Sequence, residues 1–141
     1  MKSKALTLYG LKYNPFHPDV PIEALYPSPK IDLFCRRVEL SIADGGFVMI
    51  TGEPGTGKSA ALRLLAARLK KMPDICVGAI DHPQSKVTDF YRELGELFGV
   101  SLQTYNRYGG FRTLRTRWSE HIKATNMRPV LIIDEAQDML T

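Results

Sequence analysis

The stretch Phe47-Val48-Met49-Ile50-Thr51-Gly52-Glu53-Pro54-Gly55-Thr56-Gly57-Lys58-Ser59 decides the reading of this chain. A short apolar run ends at Thr51, three glycines follow within six residues, and a lysine and a serine open a leucine-patterned segment. The apolar run reads as a buried strand and the segment from about Ser59 to Lys71 as a helix, with Leu62, Leu65, Ala66 and Leu69 on its inner face. Phosphate is dense negative charge that must be approached without bulk. Gly52, Gly55 and Gly57 let backbone N–H groups turn inward, and the helix that follows adds its positive end. The spacing G-x-x-x-x-G-K-S, in a strand-to-helix context, marks Gly52, Glu53, Pro54, Gly55, Thr56, Gly57, Lys58, Ser59 and Ala60 as candidate nucleotide-binding residues. Lys58 supplies a charge for the β and γ phosphates, and the Ser59 hydroxyl is a candidate Mg2+ ligand.

Outward from that stretch, the pattern alternates. Ser28-Pro29 predicts an N-cap and first helical residue, with Asp32 in the first turn. Ile31, Phe34, Cys35, Val38 and Ile42 recur at helical spacing, and Gly45-Gly46 ends the helix. Ile75 to Ile80 predicts a second strand. Ser85 caps a helix carrying Val87, Phe90, Tyr91, Leu94, Leu97 and Phe98 on one stripe, with Gly99 after its end. Residues 100–110 read as a loop and Phe111 to Ala124 as a helix marked by Phe111, Leu114, Trp118 and Ile122. Val130 to Ile133 reads as a strand begun by Pro129. Strands alternating with helices predict an α/β chain with a parallel sheet covered on both faces. Residues 1–28, rich in proline and aromatics, read as an extended, packed arm.

The last strand runs into Asp134-Glu135. Ligands of open parallel sheets sit at the carboxyl ends of the strands, so this pair is the second candidate site. Asp134 is assigned to hold Mg2+ through a water, and Glu135, with Lys58, to catalysis by orienting or deprotonating an attacking water. Acids favoured at the start of a helix are the bland account of the same pair. Gln137 reads either as a γ-phosphate or water contact or as a polar turn residue.

Composition narrows the class. The 141 residues carry 19 Lys and Arg against 15 Asp and Glu, net +4. From Thr104 to Arg128, six cations stand against Glu120 alone. That is +5, so the remainder sums to −1. Arg112, Arg115 and Arg117 therefore read either as a solvated helix face or as phosphate contacts to DNA. No apolar stretch approaches the roughly 20 residues of a membrane-spanning helix, and no secretory signal is visible. Cys35 and Cys76 fit no metal spacing, and the three histidines are scattered; a reduced, cytoplasmic setting is expected.

The glycine loop together with Asp134-Glu135-Ala136-Gln137 resembles the AAA+ branch of P-loop ATPases, and within it the ExeA/GspA-type ATPases and related ATP-binding subunits of bacterial transposons. Leu11-Lys12-Tyr13-Asn14-Pro15-Phe16, Leu25-Tyr26-Pro27-Ser28-Pro29 and Gly46-Phe47-Val48 add to the resemblance, which runs from about Leu8 to Leu140. Asp-Glu-Ala-Gln also resembles helicase motif II, without a further helicase motif beside it. The resemblance implies a three-layer αβα P-loop NTPase core with ATP and Mg2+ as cofactors, and a homo-oligomer in the full-length form. It implies 1–44 as an N-terminal arm and helix and 45–141 as a partial ATPase core. It implies an adenine pocket walled by Pro15-Phe16 and Tyr26, though an arm packed for stability reads the same residues equally well.

The expected role is ATP hydrolysis in a DNA-transposition system, with a transposase as partner. Two alternatives remain: an ATPase of general secretion pathway assembly, with a secretion partner, and a remnant that binds nucleotide without turnover. In the resembled group a polar sensor, an arginine finger and a helical lid follow the acidic strand, whereas this sequence ends six residues after Glu135. The expectation is a sheet incomplete after the acidic strand and open at its edges, as in the N-terminal part of a longer protein or a truncated product.

Overall fold

The computed structural model describes residues 4–17, 19–83, 87–99 and 107–140. The helices are α1 (Lys4–Leu8), α2 (Pro29–Asp44), α3 (Lys58–Leu69), α4 (Val87–Leu97) and α5 (Arg107–Thr125), and the strands are β1 (Ile75–Ile80) and β2 (Arg128–Ile133). Short 3-10 turns cover Ile22–Ala24 and Ala136–Leu140. The chain divides into two compact units between Leu64 and Leu65, inside α3.

The first unit is organised by local capping. Ser28 accepts the Ile31 N–H on its hydroxyl at 3.3 Å and Pro29 takes the first turn of α2, as expected from Ser28-Pro29. Gly45 closes the helix with its N–H on the Ile42 carbonyl. The inner face of α2 buries Cys35 and Val38, with Val20 from the preceding segment also buried. The arm is not simply extended. Lys4–Leu8 forms a helical turn closed by a Schellman pair, Leu11 N–H to Leu6 O at 2.8 Å and Gly10 N–H to Thr7 O at 3.4 Å. Nor is it uniformly packed, since Leu8, Tyr9, Phe16 and Tyr26 are exposed. Proline and aromatic content describe the 11–28 stretch but carry no information about the five-residue helix Lys4–Leu8 ahead of it.

The second unit is built on the parallel pair β1 and β2, in register from Ile75 opposite Arg128 to Ile80 opposite Ile133. Arg128 N–H donates to Asp74 O and Asp134 N–H to Ile80 O, so even-numbered residues of β2 donate toward β1. By the two-residue period of a strand, Pro129 points its missing N–H away from the ladder, which is why a proline is accommodated here. Leu69, Ile75, Ile80 and Ile132 are buried, with Leu65 and Leu94. Gly78 on β1 lets the Phe98 ring approach; a Cβ there would stand 2.9 Å from it. Phe98 in turn packs on Trp118 of α5, ring centroids 4.7 Å apart.

Two expectations need correction. Phe47–Thr51 is not a strand: these residues are irregular, and Phe47, Val48 and Met49 are 88%, 49% and 73% exposed. A strand exists through its ladder, and the described residues form one two-stranded sheet of β1 and β2 that does not include this run. Of the expected α/β core with a parallel sheet, the described residues display helices and that two-stranded parallel sheet, consistent with the class but incomplete. Finally, α5 begins at Arg107, four residues before the expected start, running through Gly109-Gly110. Glycine weakens a helix by about 1 kcal/mol but, unlike proline, retains its N–H donor. The Ser85 cap and most of the 100–110 loop lie outside the described residues.

Candidate functional site

In the first unit, the loop Gly52–Ser59 is organised around one carbonyl. Glu53-Pro54-Gly55-Thr56 has proline at the second position, glycine with φ +78° at the third, and a Thr56 N–H to Glu53 O bond at 3.4 Å, the pattern of a type II turn. The same Glu53 oxygen accepts from the Thr56 hydroxyl at 2.8 Å and from Lys58 Nζ at 3.0 Å. Lys58 Nζ also donates to Gly52 O at 2.8 Å. Gly57, at φ +87°, then hands the chain into α3, whose first bond is Ala61 N–H to Gly57 O at 2.9 Å. The N–H groups of Lys58, Ser59 and Ala60 precede that bond and have no acceptor within the helix. Residues 51–57 and Ser59 are exposed, and no acid sits in the first turn of α3. The loop therefore sets the first-turn N–H groups of α3 beside a lysine ammonium held by the Gly52 and Glu53 carbonyls.

A cavity of about 380 Å3 also lies in this unit, lined among others by Lys12, Tyr13, Pro15, Val20, Leu25 and Tyr26. Arg63 of α3 donates to the Val20 carbonyl at 2.6 Å, tying the helix that begins at Lys58 to the cavity wall. Pro15 and Tyr26 are among the residues lining this cavity. Phe16 is not among them and is 92% exposed, because the Asn14 side chain accepts the Phe16 N–H and closes a turn there. Lys12 and Tyr13 entered the sequence reading only as part of the resemblance and Val20 not at all; the fold of the arm brings them together.

In the second unit, Asp134 continues the ladder of β2 through its N–H and accepts the Glu135 N–H on Oδ1 at 3.0 Å. Glu135 stands at φ +51°, a left-handed conformation that costs a non-glycine residue roughly 1–3 kcal/mol. Its carbonyl accepts the Asp138 N–H at 2.9 Å, and its carboxylate Oε2 accepts the Gln137 side-chain amide. Both acids are half-buried. The chain thus makes an abrupt turn at the end of β2 that presents two carboxylates in fixed orientations. Gln137 contacts Glu135, a partner that residue spacing did not indicate.

Arg112, Arg115 and Arg117 are all exposed on α5. At about 3.6 residues per turn, Arg112 and Arg115 share a stripe with Lys123, whereas Arg117 lies on another face and pairs with Glu120 at 3.7 Å. The cationic stripe is therefore Arg112, Arg115 and Lys123. Helical periodicity applied to the sequence could have found it. No helix among the described residues is long and apolar enough to cross a membrane.

Residues 42–141 match a family model described as AAA domain. General secretion pathway protein A of Aeromonas hydrophila is 29% identical over 136 residues, which cover 94% of this chain and 24% of that protein. The chain thus spans about a quarter of that relative's length. No solved structure matches.

Proposed function

This chain belongs to the AAA domain family, whose fold is that of the P-loop NTPases, and on that premise we propose that it binds Mg-ATP and hydrolyses it. The observation that carries the reading is the Lys58 ammonium folded onto the carbonyls of Gly52 and Glu53 at the mouth of a glycine turn. Those carbonyls are weak partners for an ammonium compared with phosphate oxygens, so a triphosphate tail draws Lys58 off them. The first-turn N–H groups of α3 and its dipole complete the cradle. Gly52 to Ala60 would form the nucleotide loop, Ser59 would be a Mg2+ ligand and Asp134 would hold the metal through a water. Magnesium supplies charge neutralisation between the phosphates. Glu135 orients the attacking water, with Lys58 compensating charge as the terminal phosphate departs. The arm cavity takes the adenine, with Tyr26 and Pro15 as walls. Residues 45–141 belong to the ATPase core, read as three-layer αβα, and 1–44 to an arm and helix. The site works in the cytoplasm, where Mg-ATP is available, and in a homo-oligomer.

The test is isothermal titration with Mg-ATP. Lys58→Ala should weaken uptake by about 10- to 100-fold, the loss of one or two charge-assisted bonds. Unchanged affinity removes the reading.

Two settings remain for the activity. The relative's name favours general secretion pathway assembly. The exposed stripe of Arg112, Arg115 and Lys123 favours a DNA-bound role such as transposition, through phosphate contacts that read no sequence. In the second case, DNA affinity falls steeply with salt. Replacing Arg112, Arg115 and Lys123 by alanine then flattens the salt dependence by about three phosphates' worth. DNA binding unchanged in that variant leaves the secretion setting.

A further inference from the structure

We infer that Gln137 is a positioning residue for the Glu135 carboxylate. The inference rests on the proposed hydrolysis, in which that carboxylate orients water. Glu135 is held at three points: its N–H by Asp134 Oδ1, its carbonyl by the Asp138 N–H, and its Oε2 by the Gln137 amide. The first two bonds fix a left-handed backbone at φ +51°, which sets where the side chain leaves the chain but not how its three torsions lie. The Gln137 amide settles that remaining freedom. It takes one acceptor site of Oε2 and leaves Oε1 fully open to a proton-bearing ligand such as water.

An exposed glutamine with no such task would spend its amide on solvent, and its replacement would leave chemistry untouched. Here the donor ends on an ionised acceptor two residues away, within the same turn that closes β2. The bond is charge-assisted and local, so it forms without nucleotide and fixes the carboxylate before the substrate arrives. Gln137 touches neither phosphate nor water in this account; it acts through Glu135.

Two measurements on the full chain test this. The sequence has three glutamines, Gln84, Gln103 and Gln137, and three asparagines, Asn14, Asn106 and Asn126, so six side-chain amide pairs are expected in a 15N correlation spectrum, and the pair lost in Gln137→Met is the relevant one. Glu135→Ala should shift that pair; an unmoved pair overturns the contact. In single-turnover hydrolysis of Mg-ATP, Gln137→Met, which keeps length and removes the donor, should lower the rate about tenfold with the dissociation constant for Mg-ATP unchanged. Equal rates in the two proteins, including no turnover in either, overturn the positioning role, as does a rate loss matched by lost affinity. Titration of the same samples with Mg-ATP keeps the premises apart. A chain that takes up no Mg-ATP sinks the nucleotide reading, while the amide spectrum still decides the contact.

Discussion

Two apolar runs lead into the two acidic or phosphate-facing motifs of this chain, and only one of them is a strand. Val130 to Ile133 is paired along its length with β1, and Ile132 is buried. Phe47 to Thr51 has the same length class and a similar apolar content, yet its first three side chains are 49–88% exposed and it joins no ladder among the described residues. The difference teaches that an apolar run carries a capacity for strand formation, whereas the strand itself is a property of its neighbour. A ladder satisfies the N–H and C=O groups, and burial of one face follows from it. Without the ladder, the same residues leave hydrophobic surface in water. The consequence reaches the site. Asp134 is fixed by the last bond of β2, while the phosphate loop keeps its shape through its own turn and the Lys58 ammonium.

The largest test of this contrast compares two truncations. Ile80 is 1% exposed at the end of β1, and truncating it leaves a cavity in the core of the second unit. Ile80→Ala should destabilise the second unit by about 2–5 kcal/mol, the range for buried aliphatic truncations. The single tryptophan, Trp118, reports that unit, so urea titration followed by its fluorescence measures the loss. Met49→Ala removes a comparable side chain from the unpaired run. It should change the far-UV melting curve by less than about 0.5 kcal/mol, as for exposed positions. A large cost for Met49→Ala would mean the run is buried after all, and the contrast between the two runs would disappear.

What the sequence made legible follows the same line. Local devices were readable. Ser28-Pro29 named the start of α2, Gly99 followed α4 at φ +65°, and the turn Glu53-Pro54-Gly55-Thr56 was implicit in the motif. The span of β1 and the apolar part of β2, Val130 to Ile133, were readable as short apolar runs, whereas β2 also takes in Arg128 and Pro129. The fate of Phe47–Thr51 was not, because pairing depends on residues far away in the chain and no window around the run contains them. α1 was missed because five residues are too few to show a helical period, and the start of α5 because Gly109-Gly110 reads as a breaker although it only weakens a helix. At the candidate site, residue types were legible and partners were not. Glu135 and Gln137 lie two residues apart, but spacing did not indicate their contact; the backbone at Glu135 is left-handed and its carboxylate accepts the Gln137 amide. Likewise Lys12, Tyr13 and Val20 share a cavity wall through the folding of the arm, with no period to announce it.

The finest probe of the contrast is a single methyl group on the paired strand. Gly78 lies in β1 opposite Leu131, and the Phe98 ring fills the space where a Cβ would be, at 2.9 Å. That ring is not free to swing away at no cost, since it also packs against Trp118. Elsewhere in a strand interior, Gly→Ala reduces the entropy lost on folding and favours the native state by roughly 0.5–1 kcal/mol. At Gly78 the overpacking term, about 1–3 kcal/mol, opposes and exceeds it, so Gly78→Ala should be net destabilising by about 1–2 kcal/mol. The Trp118 emission should move as well, because the ring that contacts it is displaced. Stabilisation by Gly78→Ala, with Trp118 emission unaltered, would show that Phe98 does not bear on β1. The face of the ladder would then be as open as the run ahead of the phosphate loop.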